Sequence, residues 1–242
     1  MWLFCVVVSL LSLREFYGLM EVNRTRYTWL SVGTALVLWV LELLAGLEVV
    51  PLSAMVGSKI AMLVFPLLAL VTLFDASVEA PVPHLAVLTM GWIYSFVPIW
   101  LLYQLSVPMQ PSYLFHLPLG ILLLTWTLDV MAYFGGRWFG RHPLFPRVSP
   151  RKTWEGAAIG AASCLLGAWA MQTWLQPEGY HWMVIAGIIA VFSQLGDLVE
   201  SMIKRSINIK DSGSLLPGHG GMLDRFDGMF IALPFIYFYL AW

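Results

Sequence analysis

Hydrophobic runs of about 20 residues dominate the chain and predict its architecture, because a transmembrane α-helix needs about 20 mostly apolar residues. The 242-residue sequence contains eight such runs, near 1 to 19, 29 to 47, 57 to 74, 86 to 105, 114 to 135, 156 to 175, 181 to 203 and 226 to 242. The first run lacks the basic start and the small-residue cleavage site of a signal peptide, so we expect it to belong to the mature protein. The pattern predicts an all-α, polytopic integral membrane protein of about eight transmembrane helices.

Composition and organisation agree with a membrane protein. Hydrophobic residues make up 60% of the chain and charged residues only 11%, against about a quarter charged in soluble domains. No linker, low-complexity tract or fixed-period repeat is evident, so we predict one membrane domain over residues 1 to 242. Within it, residues 1 to 113 are mainly scaffold helices, and residues 114 to 242 form the catalytic half. Cys5 and Cys164 lie in apolar runs, which favours buried thiols over a disulfide or a zinc site.

The positions of lysine and arginine predict the orientation in the membrane. Nine of these thirteen residues lie between Arg137 and Arg225, in the loops 136 to 155 and 204 to 225, and Arg24 and Arg26 follow the first run. Even numbers of predicted crossings separate these loops, so all three should lie on one side. Because cytoplasmic loops carry an excess of Lys and Arg, that side should be the cytoplasm. We therefore expect a polar active-site cavity that faces the cytoplasm.

Polar residues in the seventh run share one helical face. Ser193, Asp197, Glu200 and Lys204 follow the spacing i, i+4, i+7 and i+11, which stacks them on one side of a helix. One interpretation is a structural Glu200 to Lys204 ion pair with Asp197 hydrogen-bonded between helices; the other is an active site. Asp129, an acid within the fifth run, is likewise either part of a structural ion pair with a nearby arginine or part of an active site.

A glycine-rich segment, Pro217-Gly-His-Gly-Gly221, lies between clusters of charge. Backbone N–H groups of such a turn can cradle phosphate oxygens. Asp224 and Asp227, at i and i+3 on the first turn of the last helix, should share a face. Capping explains one of them, whereas the pair favours metal coordination by at least one. His219 suits either a phosphate contact or turn stabilisation. The segment predicts a site for a metal-bound nucleotide.

The loop 136 to 155 provides a second group of basic residues. Arg137, Arg141 and Arg147 have two equally good interpretations. They either anchor the protein to anionic lipid head groups or belong to the site. Arg151, Lys152 and Thr153 directly precede a helix, where cations and free N–H groups can converge on phosphate.

The polar motifs of the second half resemble one family. They are Asp129 with Ala132-Tyr133, Gly136 and Phe139-Gly140; Ser149-Pro-Arg-Lys-Thr-Trp-Glu-Gly156; Gln194-Leu-Gly-Asp197 with Glu200; and Ser201, Lys204-Arg205, Lys210-Asp211, Pro217-Gly-His-Gly-Gly221 and Asp224-Arg-Phe-Asp227 in one register. Together they resemble the phosphatidate cytidylyltransferases, also called CDP-diacylglycerol synthases. The resemblance is close over about the last 120 residues, and Glu15-Phe16 resembles the family more faintly.

The resemblance implies an enzyme of a bacterial inner membrane that condenses CTP with phosphatidic acid, giving CDP-diacylglycerol and pyrophosphate. It implies Mg²⁺ and a further monovalent cation, with Asp197, Asp224 and Asp227 at or near the metal. We assign phosphate neutralisation to Lys204, Arg205, Lys210 and Arg225, and substrate binding to Ser149, Arg151, Lys152, Thr153, Ser201, Gly218, His219, Gly220 and Gly221. Membrane lipids are further partners, a homodimer is compatible with these expectations, and nucleic acid is not expected. A CTP-dependent lipid kinase and an ion-coupled transporter are the alternatives.

Overall fold

A computed structural model describes residues 1 to 20, 26 to 47, 55 to 75, 78 to 106, 116 to 175, 181 to 213 and 220 to 241. In these ranges the chain is almost entirely helical. The helices are α1 (Trp2–Leu19), α2 (Arg26–Gly46), α3 (Met55–Leu73), α4 (Pro81–Gly91), a π-helical segment (Trp92–Phe96), α5 (Val97–Gln104), α6 (His116–Phe139), α7 (Trp154–Leu175), α8 (Trp182–Ser206) and α9 (Leu223–Ala241). Two short strands, β1 (Pro143–Phe145) and β2 (Ser149–Thr153), separate α6 from α7. The predicted all-α architecture is confirmed.

Each predicted hydrophobic run coincides with a helical stretch. α4, the π-helical segment and α5 follow one another without a break, so that they account together for the run near 86 to 105. By length and composition, five stretches in the described part of the chain could cross a membrane: Trp2–Leu19, Arg26–Gly46, Pro81–Gln104, Leu117–Phe139 and Trp182–Ser206. The protein is a polytopic membrane protein, and the count of eight crossings stays a prediction.

The chain forms two compact units. Unit 1 contains Met1–Trp100 and Ser212–Leu223, and unit 2 contains Leu101–Asp211 and Asp224–Trp242. The sequence division at residues 113 and 114 lies near the first boundary. The segment Ser212–Leu223, which we predicted in the catalytic half, groups with unit 1. The prediction of a single domain stays a prediction.

Two buried polar side chains in unit 1 form hydrogen bonds to neighbouring helices. The Tyr17 hydroxyl of α1 donates to the carbonyl of Leu88 at 2.8 Å, and Gly91, which has no side chain, leaves room for the Tyr17 ring. The Trp39 indole N–H donates to the Ser9 hydroxyl at 2.9 Å. Such pairing is needed because an unsatisfied polar group in an apolar medium costs several kcal/mol, roughly 4 to 8 for transfer to hydrocarbon.

The start of α2 is tied to the end of α3 by a shared carboxylate. Asp75, which is buried, accepts from the Tyr27 hydroxyl at 2.6 Å and from the Arg26 Nε at 3.0 Å. A second guanidinium nitrogen of Arg26 forms an ion pair with the same oxygen. These bonds hold the start of α2 close to the end of α3.

In unit 2, α6 and α7 meet through small residues. Gly156 and Gly160 of α7 have the small-xxx-small spacing that lets membrane helices approach closely. A Cβ added at Gly156 would lie 2.6 Å from the Ala132 carbonyl, and one added at Gly160 would lie 2.7 Å from the Leu128 carbonyl. Gly136 of α6 lies against Gly156. This contact explains why α6 continues past its predicted end at residue 135 to Phe139.

α8 and α9 also meet at glycine. A Cβ at Gly196 would lie 2.8 Å from the carbonyl oxygens of Asp227 and Gly228. Gly228 in turn lies against Ser193, with a Cβ position 2.9 Å from the Ser193 carbonyl. The first turns of α9 therefore pack against α8 at Gly196, the residue that directly precedes Asp197.

A short antiparallel hairpin connects α6 with α7, where the sequence predicted only a loop. Pro143 pairs with Thr153, and Phe145 with Ser149. Glu155 fixes the start of this hairpin, since one carboxylate oxygen accepts the N–H groups of Arg141 and His142 at 3.1 and 3.2 Å.

The same Glu155 carboxylate has a strongly lowered pKa. The backbone N–H of Arg141, then the His142 side chain at 2.6 Å, stabilise the charged form and lower the pKa of Glu155 from 4.5 to about 2. The hairpin geometry therefore depends on an ionised glutamate.

The first prediction concerns the α8–α9 contact. Gly196→Ala places a methyl group against two backbone carbonyls that cannot rotate away, so we expect a loss of about 1 to 3 kcal/mol in folding free energy. Thermal unfolding in detergent measures this loss. The matched control is Gly187→Ala on the same helix, where no atom lies within 4 Å of the new methyl group. Equal melting temperatures for the two variants would contradict the contact.

The second prediction concerns Glu155. Because its folded pKa lies below the ordinary value of 4.5, its stabilising effect is fully present above that pH and is lost as the pH falls through about 2. At pH 7, Glu155→Gln should speed hydrogen exchange at the Arg141 and His142 amides. Glu79→Gln, at an exposed carboxylate of unit 1, serves as the control. Unchanged exchange in Glu155→Gln would show that the charge does not hold the hairpin.

Candidate active site

Asp197 and Lys152 form an ion pair that joins α8 to strand β2. Both side chains are about a third exposed, at 30% and 28%, and the Ser201 hydroxyl lies 3.4 Å from the other carboxylate oxygen of Asp197. The sequence predicted all three residues for the site, on two separate segments. Folding of unit 2 brings the two segments together.

Lys204 bridges two further carboxylates. Its ammonium group donates to Glu200 at 2.9 Å and to Asp224 of α9 at 2.6 Å. The Lys204 and Glu200 side chains are almost fully buried, with exposures of 12% and 3%. The predicted Glu200 to Lys204 pair is therefore present, and it extends to Asp224. A lysine in this position offsets two negative charges that the apolar surroundings would otherwise penalise.

Asp227 adds a fourth acidic helix position. Its carboxylate accepts the backbone N–H of Gly228 at 2.6 Å, and it lies within electrostatic range of Asp129, Asp197 and Glu200. One oxygen of Glu200 is buried without a hydrogen-bond partner among the described residues. Several carboxylates this close repel one another unless cations lie among them. We call the set Asp129, Lys152, Asp197, Glu200, Lys204, Asp224 and Asp227 the charge network.

Part of the charge network lines a cavity of about 510 Å³ in unit 2. The wall combines apolar residues of α6 and α7 with groups of both charges. Its polar and charged side chains belong to Asp129, Tyr133, Arg137, Arg151, Lys152, Thr153, Gln194 and Asp197. Three cationic side chains and two carboxylates facing one space suit a phosphate ligand accompanied by a metal ion. Arg137 thus lies at the cavity and not only at the membrane surface.

Two predicted site residues have local structural partners. The Thr153 hydroxyl accepts the Gly156 N–H at 3.2 Å and so caps α7. Arg205 donates to the Ile209 carbonyl at 2.9 Å, beside the end of α8. There Asn208 adopts a left-handed φ of 58°, and the Ile209 N–H bonds to the Lys204 carbonyl at 3.0 Å, a common helix ending. The predicted roles of Thr153 and Arg205 toward phosphate stay predictions.

The remaining predicted residues are distributed over both units. In unit 2, Arg151, Lys210 and Arg225 are exposed and Ser149 is half-buried. Gly220 and Gly221 belong to unit 1, and Gly220 has a positive φ of 80°, which glycine adopts at little cost. Gly218 and His219 lie outside the described residues.

The sequence analysis missed the role of Glu15 in unit 1. Its carboxylate accepts the Leu223 N–H at 2.9 Å, 208 positions along the chain, and it packs against Gly221. An acid inside an apolar run, together with the faint Glu15-Phe16 resemblance, was the available signal. The small-residue spacings of Gly156 with Gly160, and of Gly196 near Asp197, could also have been read from the sequence.

The donors of the charge network suit Mg²⁺ by their chemistry. Mg²⁺ is usually held by one or two carboxylates, with substrate phosphates and water completing its shell. No group of three His, Cys, Asp or Glu side chains among the described residues is arranged to hold a metal. Asp197 and Asp224 are bonded to different lysines. The set Asp197, Asp224 and Asp227 stays a prediction.

Comparison with known proteins shows the family of this chain. The sequence profile of the cytidylyltransferase family matches residues 1 to 242, and the chain belongs to this family. It is 46% identical over 121 residues to a Bacillus subtilis protein named phosphatidate cytidylyltransferase, across 49% of this chain and 45% of the relative. A Brucella abortus protein of the same name is 45% identical over 119 residues, which are 49% of this chain and 44% of the relative. A Staphylococcus saprophyticus protein of the same name is 43% identical over 123 residues, which are 50% of this chain and 47% of the relative. The chain spans about half the length of the curated relatives it matches.

The third prediction tests the buried bridge of Lys204. Lys204→Met leaves Glu200 and Asp224 without their shared cation, and losing one partner of a buried pair costs about 3 to 5 kcal/mol. We expect a marked fall in thermal stability in detergent. Adding Glu200→Gln should recover part of that loss, because it removes one of the stranded charges. Wild-type stability of Lys204→Met alone would show that the bridge is not structural.

Proposed function

We propose that this protein transfers the cytidylyl group of CTP to phosphatidic acid, giving CDP-diacylglycerol and pyrophosphate. The observation that carries the proposal is the pairing of Lys152 with Asp197 and of Lys204 with Glu200 and Asp224, partly at a cavity that Arg137 and Arg151 also line. Membership of the cytidylyltransferase family and the printed names of the relatives support it.

The reaction needs no covalent enzyme intermediate. An anionic phosphate oxygen of phosphatidic acid attacks the α-phosphorus of CTP, a new P–O bond forms, and the bond to the β-phosphate bridge breaks as pyrophosphate leaves. Both substrates are polyanions. The protein therefore has to position them and offset their repulsion, which oriented cations in a partly dehydrated site can do.

The roles follow from charge and position. Asp197, Asp224 and Asp227 would hold Mg²⁺, which when bound neutralises triphosphate charge and polarises the phosphoryl group. The ammonium groups of Lys152 and Lys204 fix the carboxylates and lie where phosphate oxygens can also accept from them. Arg151 and Arg137 bring positive charge to the cavity from β2 and α6. Lys210, Arg205 and Arg225 would extend this charge over the substrate. A monovalent cation close to the carboxylates belongs to the same proposal.

The proposal includes a site at the cytoplasmic face of a bacterial inner membrane. Within unit 2 the hairpin after α6 contacts the half of α8 that ends at Ser206, through the Lys152 to Asp197 pair. The basic hairpin and the basic end of α8 thus share one side of this unit, as the excess of Lys and Arg predicts for the cytoplasmic side. CTP is available there.

Purified protein supplied with CTP, phosphatidic acid and Mg²⁺ tests the function. We expect pyrophosphate and CDP-diacylglycerol in equal amounts. Release of CDP with a phosphorylated lipid would favour a lipid kinase instead. An absence of CTP consumption, with ion-driven solute uptake in vesicles, would favour a transporter.

The fourth prediction concerns the carboxylates of this reaction. Asp197→Ala and Asp224→Ala each remove a charged oxygen proposed for Mg²⁺, and we expect turnover to fall below detection. The measurement is pyrophosphate release by the folded, purified variants. Glu79→Ala, at an exposed carboxylate in unit 1, is the control and should retain activity. Normal turnover of either aspartate variant would remove that residue from the proposed set.

A further inference from the structure

A carboxylate in α1 contacts the segment that leads into α9. Glu15 follows Arg14 in a mostly apolar helix, and one of the Glu15 carboxylate oxygens is buried without a hydrogen-bond partner among the described residues. An acid inside a membrane helix is costly and is retained mainly where it has a specific partner or function. Its described contacts with the segment before α9 are with Gly213, Gly221 and Leu223, all in unit 1.

Two glycines and one backbone donor surround the Glu15 carboxylate. The Leu223 N–H donates to Oε2 at 2.9 Å. A Cβ added at Gly221 would lie closest to the Ser212 hydroxyl and 2.7 Å from that carboxylate oxygen, and a Cβ added at Gly213 would lie 2.9 Å from Oε1. A methyl group at either glycine would therefore crowd the carboxylate in its present position. Gly213, Gly221 and Leu223 therefore lie close around the Glu15 carboxylate.

The charge of Glu15 suits its place. Leu223 is the first residue of α9, and the N–H groups at a helix start favour a negative charge through the helix dipole. A bond from a backbone N–H to a carboxylate is about twice as strong as one to a neutral acceptor. Glu15 can therefore hold the end of the glycine-rich segment in one position before any substrate arrives.

We infer that Glu15 is a positioning residue for substrate binding. Its carboxylate holds Gly221 and Leu223, and so fixes the position of Gly221 at the end of the glycine-rich segment. The inference rests on the proposed function and on the role in substrate binding that the sequence analysis predicts for Gly220 and Gly221. Order that exists before binding does not have to be created by the substrate, so it improves affinity. Loss of Glu15 should then weaken CTP binding more than it slows the chemical step.

Hydrogen exchange tests the hold on the segment without using activity. The protein is exchanged in detergent, and the amides from Gly221 to Asp224 are followed by mass spectrometry. We expect faster exchange in Glu15→Ala, a smaller increase in Glu15→Gln, and faster exchange in Gly221→Ala, where the new methyl group crowds both the Ser212 hydroxyl and the Glu15 carboxylate. Glu42→Gln is the matched control, because Glu42 is another acid of unit 1 inside a helix, bonded to the Trp100 indole at 3.1 Å. Its exchange between residues 221 and 224 should equal that of the wild type.

Kinetics test the consequence for substrate. Glu15→Ala is expected to raise the KM for CTP about 10-fold or more, with a smaller change in kcat, since a hydrogen bond to a charged group is lost. Glu15→Gln should keep part of the wild-type affinity because its amide oxygen can still accept from Leu223. A purely structural role would lower the amount of active enzyme and leave the KM unchanged.

The outcomes separate the two proposals. Unchanged exchange in Glu15→Ala, or faster exchange with an unchanged KM for CTP, would overturn this inference while leaving the proposed function intact. A wild-type protein that consumes no CTP would overturn the proposed function and the substrate part of the inference. In that case the exchange measurement would still decide whether Glu15 holds the segment.

Discussion

Close contact between helix backbones at glycine is the constraint on which the site in unit 2 depends. Gly156 and Gly160 bring α7 against α6, and Gly196 brings α8 against the first turns of α9. Each contact removes the space that a side chain would occupy, so the neighbouring polar residues of different helices come within bonding distance. Without the Gly196 contact, Lys204 of α8 could not reach Asp224 of α9 as it does at 2.6 Å. The glycines thus determine the positions of the charged side chains, although they carry no reactive group themselves.

The apolar surroundings then determine how the charges pair. Removing a carboxylate from water costs several kcal/mol unless a cation and further hydrogen bonds compensate. The protein meets this requirement with two lysines from different segments, Lys152 of β2 and Lys204 of α8, each bonded to a carboxylate of the charge network. The resulting pairs stabilise the fold and hold groups of both signs near one cavity. Stability and site geometry therefore rest on the same contacts.

The sequence predicts the helices well because hydrophobic length is a local property. The helical period also made the Glu200 to Lys204 pair one of two interpretations, and the pair is present in the structure. The sequence could not predict the Lys152 to Asp197 pair, because periodicity does not indicate which faces of separate elements are in contact. The hairpin between α6 and α7 was missed for a related reason: the hydrogen bonds of Glu155 to Arg141 and His142 that start it are non-local. The sequence indicated Glu15 only through the faint resemblance of Glu15-Phe16 to the family, because its partner Leu223 lies 208 positions away.

The charge network helps to decide between the two interpretations of Asp129. This residue lines the cavity with Lys152 and Asp197, and it lies within electrostatic range of both. Both of these groups belong to the network, which supports the active-site interpretation. A network of this kind has two complementary affinities: a polyanion competes for its lysines, and a metal ion competes for its carboxylates. A metal-bound nucleotide satisfies both at once, whereas a transported ion of one sign would satisfy only one. The balance of charges therefore supports nucleotide chemistry more strongly than transport.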